Sequence, residues 1–211
     1  MHPHLLIAVI GLVYILIVGG MSLLRREGLS NQFAFEVLGI TALVVAGAVL
    51  TNTTVDPIVF LIVVYLLSMR ARLLVDLADL LSGRGRQRDA MSVLQLALRL
   101  FPDRSTRLAV LVSMGIVQLR RQNPASAQEL FETVLGEAKQ GSLGIKYEAA
   151  CHYNLGLALQ RQGKEAEAIR QFNATIETFP TSEYSRAAAQ ALARRRAKAG
   201  AEAADKEQIS G

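Results

Sequence analysis

From His4 to Leu24 the chain carries no charged residue. Leu5–Leu24 alone supplies 20 residues, about 30 Å of helix, which is the thickness of a bilayer's hydrocarbon core. A cleaved signal peptide would open on a basic segment and end at a small-residue site. The first 24 residues hold no Lys or Arg, and Gly19-Gly20-Met21 is a poor cleavage match. The segment is therefore expected to be retained as a first membrane span, at about 5–24.

Two more apolar segments follow. The stretch from Val37 to Val55 is free of charge, with Glu36 just ahead of it. It reads as a second span at about 33–51. Ala42 and Ala46 share one face and would let another helix approach closely. Glu36 is expected at interface depth, near Arg25 and Arg26. The third segment, 57–69, starts at Asp56-Pro57, a residue that caps a helix followed by one that suits its first turn. Only 13 residues separate Asp56 from Arg70, about 20 Å of helix and short for a bilayer. The pattern from Pro57 to Leu81 nevertheless reads as one uninterrupted helix of 25 residues.

Composition changes sharply at Arg70. The whole chain is 51% apolar with mean hydropathy +0.29, but the excess sits before that point. Arg25 and Arg26 are the only earlier basic residues, which leaves 21 Lys/Arg and 15 Asp/Glu from Arg70 onward. A membrane domain at 1–69 and a water-facing domain at 70–197 are expected, with a flexible tail at 198–211. The loop after the first span is basic, the loop 51–56 is not, and Arg70, Arg72, Arg84, Arg86 and Arg88 follow the third. The positive-inside rule then puts the N-terminus outside and the C-terminal domain in the cytoplasm. No organelle-type leader is evident, so a bacterial cytoplasmic membrane is the expected location. The five arginines are also expected to lie near anionic lipid. Asn52-Thr53-Thr54 spells a glycosylation sequon, but it sits against the membrane and is read as coincidence.

Beyond Arg70 the pattern is amphipathic helix, turn, amphipathic helix, three times over. Ala78, Gly115 and Gly156 are equivalent, at spacings of 37 and 41, and Ala90, Ala127 and Ala168 repeat those spacings. Repeat two has Leu111, Met114, Gln122, Phe131 and Val134. Repeat three has Tyr153-Asn154-Leu155-Gly156-Leu157-Ala158, then Gly163, Phe172 and Phe179-Pro180. A small residue midway along each first helix lets the second cross closely, and Phe131 and Phe172 are expected to fill the gap to the next repeat. Tyr184, Ala187, Ala188, Ala191 and Leu192 give 183–197 one apolar face, as a terminal cap needs. These residues resemble the tetratricopeptide repeat family over about 71–182, with repeats at about 71–104, 108–141 and 149–182. The expected fold is all-α: three transmembrane helices, then a short tetratricopeptide α-solenoid of three helix–turn–helix repeats and a capping helix.

No catalytic constellation stands out. Ser82-Gly83-Arg84-Gly85-Arg86 lacks the spacing and ending of a phosphate loop. Cys151 and His152 are adjacent, so on a helix they point about 100° apart and do not pair as nucleophile and base. Three scattered histidines (His2, His4, His152) and one cysteine offer no usual metal site, and no cofactor is expected. The basic surplus lacks a nucleic-acid reading element and aromatic interleaving, so no nucleic-acid partner is expected either.

That leaves protein binding. The family resemblance implies a concave face lined by the first helix of each repeat. By alignment its residues here are Val112, Ile116, Leu119 and Arg120, then Tyr153, Asn154, Leu157, Gln160 and Arg161. Only Asn154 matches the Lys/Asn clamp of the subgroup that binds C-terminal carboxylates. The groove instead looks apolar with a basic edge, suited to an amphipathic or acidic helix. The expected function is a non-enzymatic, membrane-anchored scaffold or assembly factor that recruits a protein partner. The alternatives are a stable accessory subunit of a larger membrane complex, or an assembly factor of the photosystem type. The order of segments resembles that of membrane tetratricopeptide proteins which act in photosystem assembly.

Overall fold

A computed structural model describes residues 3–24, 31–138 and 143–210. Among the described residues it holds ten α-helices and no strand. The chain divides into two compact units, Met1–Val110 and Leu111–Gly211. The division does not fall at residue 70: the first repeat hairpin groups with the apolar helices.

The first unit opens with α1 (Pro3–Leu24), α2 (Asn31–Thr51) and α3 (Pro57–Ser68). They meet around Ile7, Val37, Phe60 and Val64, with Ile10, Tyr14 and Phe33 packed against that centre. Gly11 is needed here, because a Cβ on it would lie 2.6 Å from Thr41 Oγ1. Thr41 spends its hydroxyl on its own helix, donating to Val37 O at 2.7 Å. Asp56 caps α3 as its sequence suggests, accepting from the Ile58 and Val59 amides at 2.8 and 3.1 Å. The outer faces remain apolar: Leu16 is 67% exposed, Leu43 75% and Leu50 85%.

Among the described residues, one helix, or up to two counting a bent pair, is long and apolar enough to cross a membrane. Phe33–Thr51 is long and apolar enough to cross a bilayer; Leu5–Val18 is a shorter apolar helix. The second candidate is a bent pair, α3 with α4 (Arg70–Gly83), turned through 67°. The uninterrupted helix expected from Pro57 to Leu81 is therefore broken. Met69 leaves helical geometry, at φ −100 and ψ 7. At the break Arg70 Nη1 donates to Leu67 O at 2.7 Å. The same guanidinium donates from Nη1 and Nη2 to Glu36 Oε2 and Oε1, at 2.8 and 3.1 Å. Its Nε reaches Leu100 O at 3.1 Å. Glu36 thus pairs with Arg70, whereas Arg25 and Arg26, its expected neighbours, lie outside the described residues.

Helices α4 and α5 (Gln87–Arg99) form the first hairpin, and α6 (Arg104–Arg120) starts in this unit. Ala71, Val75 and Ala78 are buried on α4; Ala90, Leu94 and Ala97 are buried on α5.

The second unit continues α6 and adds α7 (Pro124–Ala138), α8 (Ile145–Arg161), α9 (Glu165–Thr178) and α10 (Glu183–Ser210). The three hairpin turns are built alike. Arg86, Asn123 and Lys164 amides each donate at 3.0 Å to a carbonyl five residues back, on Leu81, Gln118 and Leu159. Each turn needs one left-handed residue: Gly85 at φ +81, Gln122 at φ +61 and Gly163 at φ +75. Phe131 and Phe172 each pack into their own hairpin. A Cβ on Gly115 would sit 2.5 Å from Phe131 Cε1, and one on Gly156 2.7 Å from Phe172 Cε1. Each ring fills the space its own hairpin's glycine leaves. In the first hairpin the equivalent pair is Ala78 and Leu94, both buried. The smaller leucine leaves room for the extra methyl.

Helix α10 covers α9 and α8 through Tyr184, Ala188 and Leu192, on the face that its sequence marks. Ser182 caps it, accepting from the Ser185 amide at 3.0 Å. Ser185 Oγ lies 2.6 Å from Phe179 O and 3.0 Å from Thr175 O. Arg195 pairs with Glu165 at the start of α9. The helix runs on to Ser210, beyond the 183–197 cap and through the stretch expected as a flexible tail.

Candidate partner-binding face

The expected groove residues lie on α6 and α8, whose C-terminal ends are tied by Arg161 Nη1 donating to Leu119 O at 2.5 Å. Equivalent positions on the two helices have different fates. Val112 is only 1% exposed and belongs to the interior. Tyr153, its counterpart on α8, is half-buried between two rings, 6.0 Å from Phe172 and 5.9 Å from Tyr184. It joins α8, α9 and α10 rather than standing free. Asn154 is buried, with Nδ2 donating to Ala150 O at 2.8 Å. Leu119 is also buried. Arg161 reaches the carbonyl of Leu119, which also accepts from the Gln122 amide at 3.1 Å.

Six residues keep surface: Ile116, Tyr153 and Leu157 are half-buried, and Arg120, Gln160 and Arg161 are exposed. Ile116 and Leu157 are equivalent positions on neighbouring first helices. With Arg120, Gln160 and Arg161 they make a candidate apolar patch with a polar and basic rim, without the buried Val112, Leu119 and Asn154. A patch of this kind can seat an apolar side chain of a partner helix and orient it with polar contacts at its rim.

The ties between repeats two and three were not legible in the sequence. Gln162 Nε2 donates to Gln128 Oε1 at 2.9 Å and to Pro124 O at 3.3 Å. Lys164 Nζ reaches the same Gln128 oxygen at 3.1 Å. Long polar side chains in turns give no periodic signal, so only their tertiary neighbours reveal them.

Cys151 and His152 diverge, as adjacent helix residues should. Cys151 is fully buried, and its Sγ lies 3.4 Å from Phe131 O. Burial pushes its thiol well above the usual cysteine range, and nearby Glu148 adds to the shift. His152 Nδ1 instead meets Gln171 Oε1 at 2.8 Å. Among the described residues no group of three or more His, Cys, Asp or Glu is placed to hold a metal ion.

The arginines expected beside lipid fall into two groups. Arg70 turns inward to Glu36, and Arg72 Nε lies 3.5 Å from Thr106 Oγ1. Arg84, Arg86 and Arg88 are exposed around the first hairpin turn, with Arg86 bonded to Asp89 at 2.6 Å.

Repeated helix–turn–helix hairpins with small residues at the crossings and left-handed turns define a protein of the helical-repeat class. Residues 106–181 match the tetratricopeptide repeat family model. Over these residues the chain carries tetratricopeptide repeats, a family whose members are generally protein-interaction scaffolds. The match spans repeats two and three; the hairpin of α4 and α5 lies outside it. No curated protein and no solved structure matches the chain.

Proposed function

We propose that this chain is a non-enzymatic, membrane-anchored tetratricopeptide scaffold or assembly factor that brings a protein partner to the bilayer. One observation carries the reading: helices α1–α3 keep an apolar exterior in the same chain as a repeat region of the protein-interaction type. Leucines exposed on that scale need lipid or protein around them. In this reading the three helices are three spans, α3 being short and set against the other two in a thinned bilayer. The N-terminus lies outside and the repeats lie in the cytoplasm, in a bacterial cytoplasmic membrane. The partner contacts Ile116, Arg120, Leu157 and Gln160. Holding it at the membrane raises its effective concentration there without any new contact.

The test is crosslinking and mild-detergent co-purification of the full-length protein from its native membrane, with mass spectrometry. A sample carrying Ile116→Ala and Leu157→Ala runs beside it. Tyr153 is left intact because it packs within the fold. Substoichiometric partners lost in the double variant support a groove-based adaptor. A single stoichiometric complex unaffected by the variant points to the stable accessory subunit and overturns the groove.

A further inference from the structure

Helix α4 has two apolar sides. Ala71, Val75, Ala78 and Ser82 face inward to its hairpin. On the opposite side Leu73, Leu77 and Leu80 form a stripe at helical spacing, 37%, 43% and 50% exposed. The equivalent positions on α6 and α8 are Val110, Met114 and Val117, then Cys151, Leu155 and Ala158. All but the half-buried Met114 are buried. On α8 this is the side that meets the preceding hairpin, where Cys151 Sγ lies against Phe131 O of α7. The stripe on α4 is thus an inter-repeat face that has no preceding repeat.

We infer that the bilayer surface takes the place of that missing repeat: α4 lies in the membrane interface with Leu73, Leu77 and Leu80 in lipid. This inference rests on the membrane reading above. Three observations select lipid as the occupant. The chain enters α4 directly from α3, whose exterior is apolar along its length. The bend of 67° lays α4 close to the membrane plane when α3 crosses along the normal. Over its 14 residues, about 21 Å, α4 then advances only about 8 Å along the axis of α3, which keeps it within the depth where amphipathic helices insert. The exposed turn that follows, with Arg84 and Arg88, supplies the positive charge that anionic headgroups attract. Arg70, held by Glu36, Leu67 O and Leu100 O, fixes the bend that sets this angle.

The experiment uses the full-length protein in anionic nanodiscs. Leu73→Cys, Leu77→Cys, Leu80→Cys, Leu43→Cys and Ser92→Cys are made singly and labelled with an environment-sensitive fluorophore; buried Cys151 stays unlabelled. Spin-labelled lipid and aqueous iodide serve as quenchers. The expected result is loss of fluorescence to lipid quencher, with protection from iodide, at the three stripe positions and at Leu43. Ser92, exposed on the outer side of α5, should respond to iodide alone. Adding Arg84→Gln with Arg88→Gln should reduce the lipid quenching at Leu80. Iodide quenching on the stripe, with Leu43 still lipid-quenched, overturns the inference and leaves the membrane reading standing. A stripe protected from both quenchers means that a second copy or another protein covers it, which also overturns the inference. Iodide quenching at Leu43 removes the membrane reading itself.

Discussion

Gly115 and Gly156 carry the closest side-chain approaches in the repeats, and each is matched to one phenylalanine. Adding a methyl at either position overpacks the crossing, which typically costs about 1–3 kcal/mol. Gly156→Ala should therefore lower the thermal midpoint of the repeat region. Gly156→Ala combined with Phe172→Leu recreates the Ala78–Leu94 pair of the first hairpin. It should lose less stability than the two single changes added together, read as a coupling energy in a double-mutant cycle. Gln122 gives the opposite case. It occupies the left-handed turn position that Gly85 and Gly163 fill elsewhere, where a side chain is strained. Gln122→Gly should stabilise the fold by about 0.5–1 kcal/mol in a denaturant melt. Cys151 supplies a pH prediction. The fold holds the neutral thiol, so its contribution is complete below about pH 8.5 and shrinks as pH rises above it, because the unfolded chain ionises and the folded one resists. Alkylation of the folded protein at pH 8–9 should be slow and should accelerate only with denaturant.

At the scale of elements, the break between α3 and α4 is held by one side chain. Arg70 serves both Glu36 oxygens and the carbonyls of Leu67 and Leu100, which lie on α2, on α3 and just past the end of α5. Lysine has no planar fork and cannot reproduce the bidentate pair. Arg70→Lys and Glu36→Gln should each cost about 1.5–3 kcal/mol, the range for hydrogen bonds to charged groups. Limited proteolysis should then cut more readily between residues 66 and 72 in either variant. Unchanged cleavage would show that packing alone sets the bend. Nothing in the sequence pattern marks this contact. Its apolar and helical pattern continues through Met69, and the two partners are 34 residues apart. Helix periodicity reports which residues are apolar, not where a ladder is interrupted from outside.

For the whole molecule, the membrane reading fixes a sidedness that can be measured. In intact spheroplasts an external protease should leave the repeat region whole, and lysis should expose it. Digestion from outside would reverse the proposed orientation. What the sequence determined by itself is the class of structure. The uncharged run before Leu24, the 37- and 41-residue recurrence of small residues and the turn positions at Gly85, Gln122 and Gly163 define the helices and their pairing into hairpins. These signals are local and periodic, so they survive without knowledge of neighbours. Tertiary structure decided the rest. It buried Val112, Leu119 and Asn154 of the expected groove within the repeats and tied Tyr153 and Arg161 to neighbouring helices, leaving Ile116, Arg120, Leu157 and Gln160 as its freest surface candidates. It turned Arg70 onto Glu36, and it left the stripe of α4 uncovered. Whether an apolar or polar side chain ends in a core, a tie or a surface depends on what the next element places against it. That information lies in contacts between segments far apart along the chain, where no pattern within one helix can carry it.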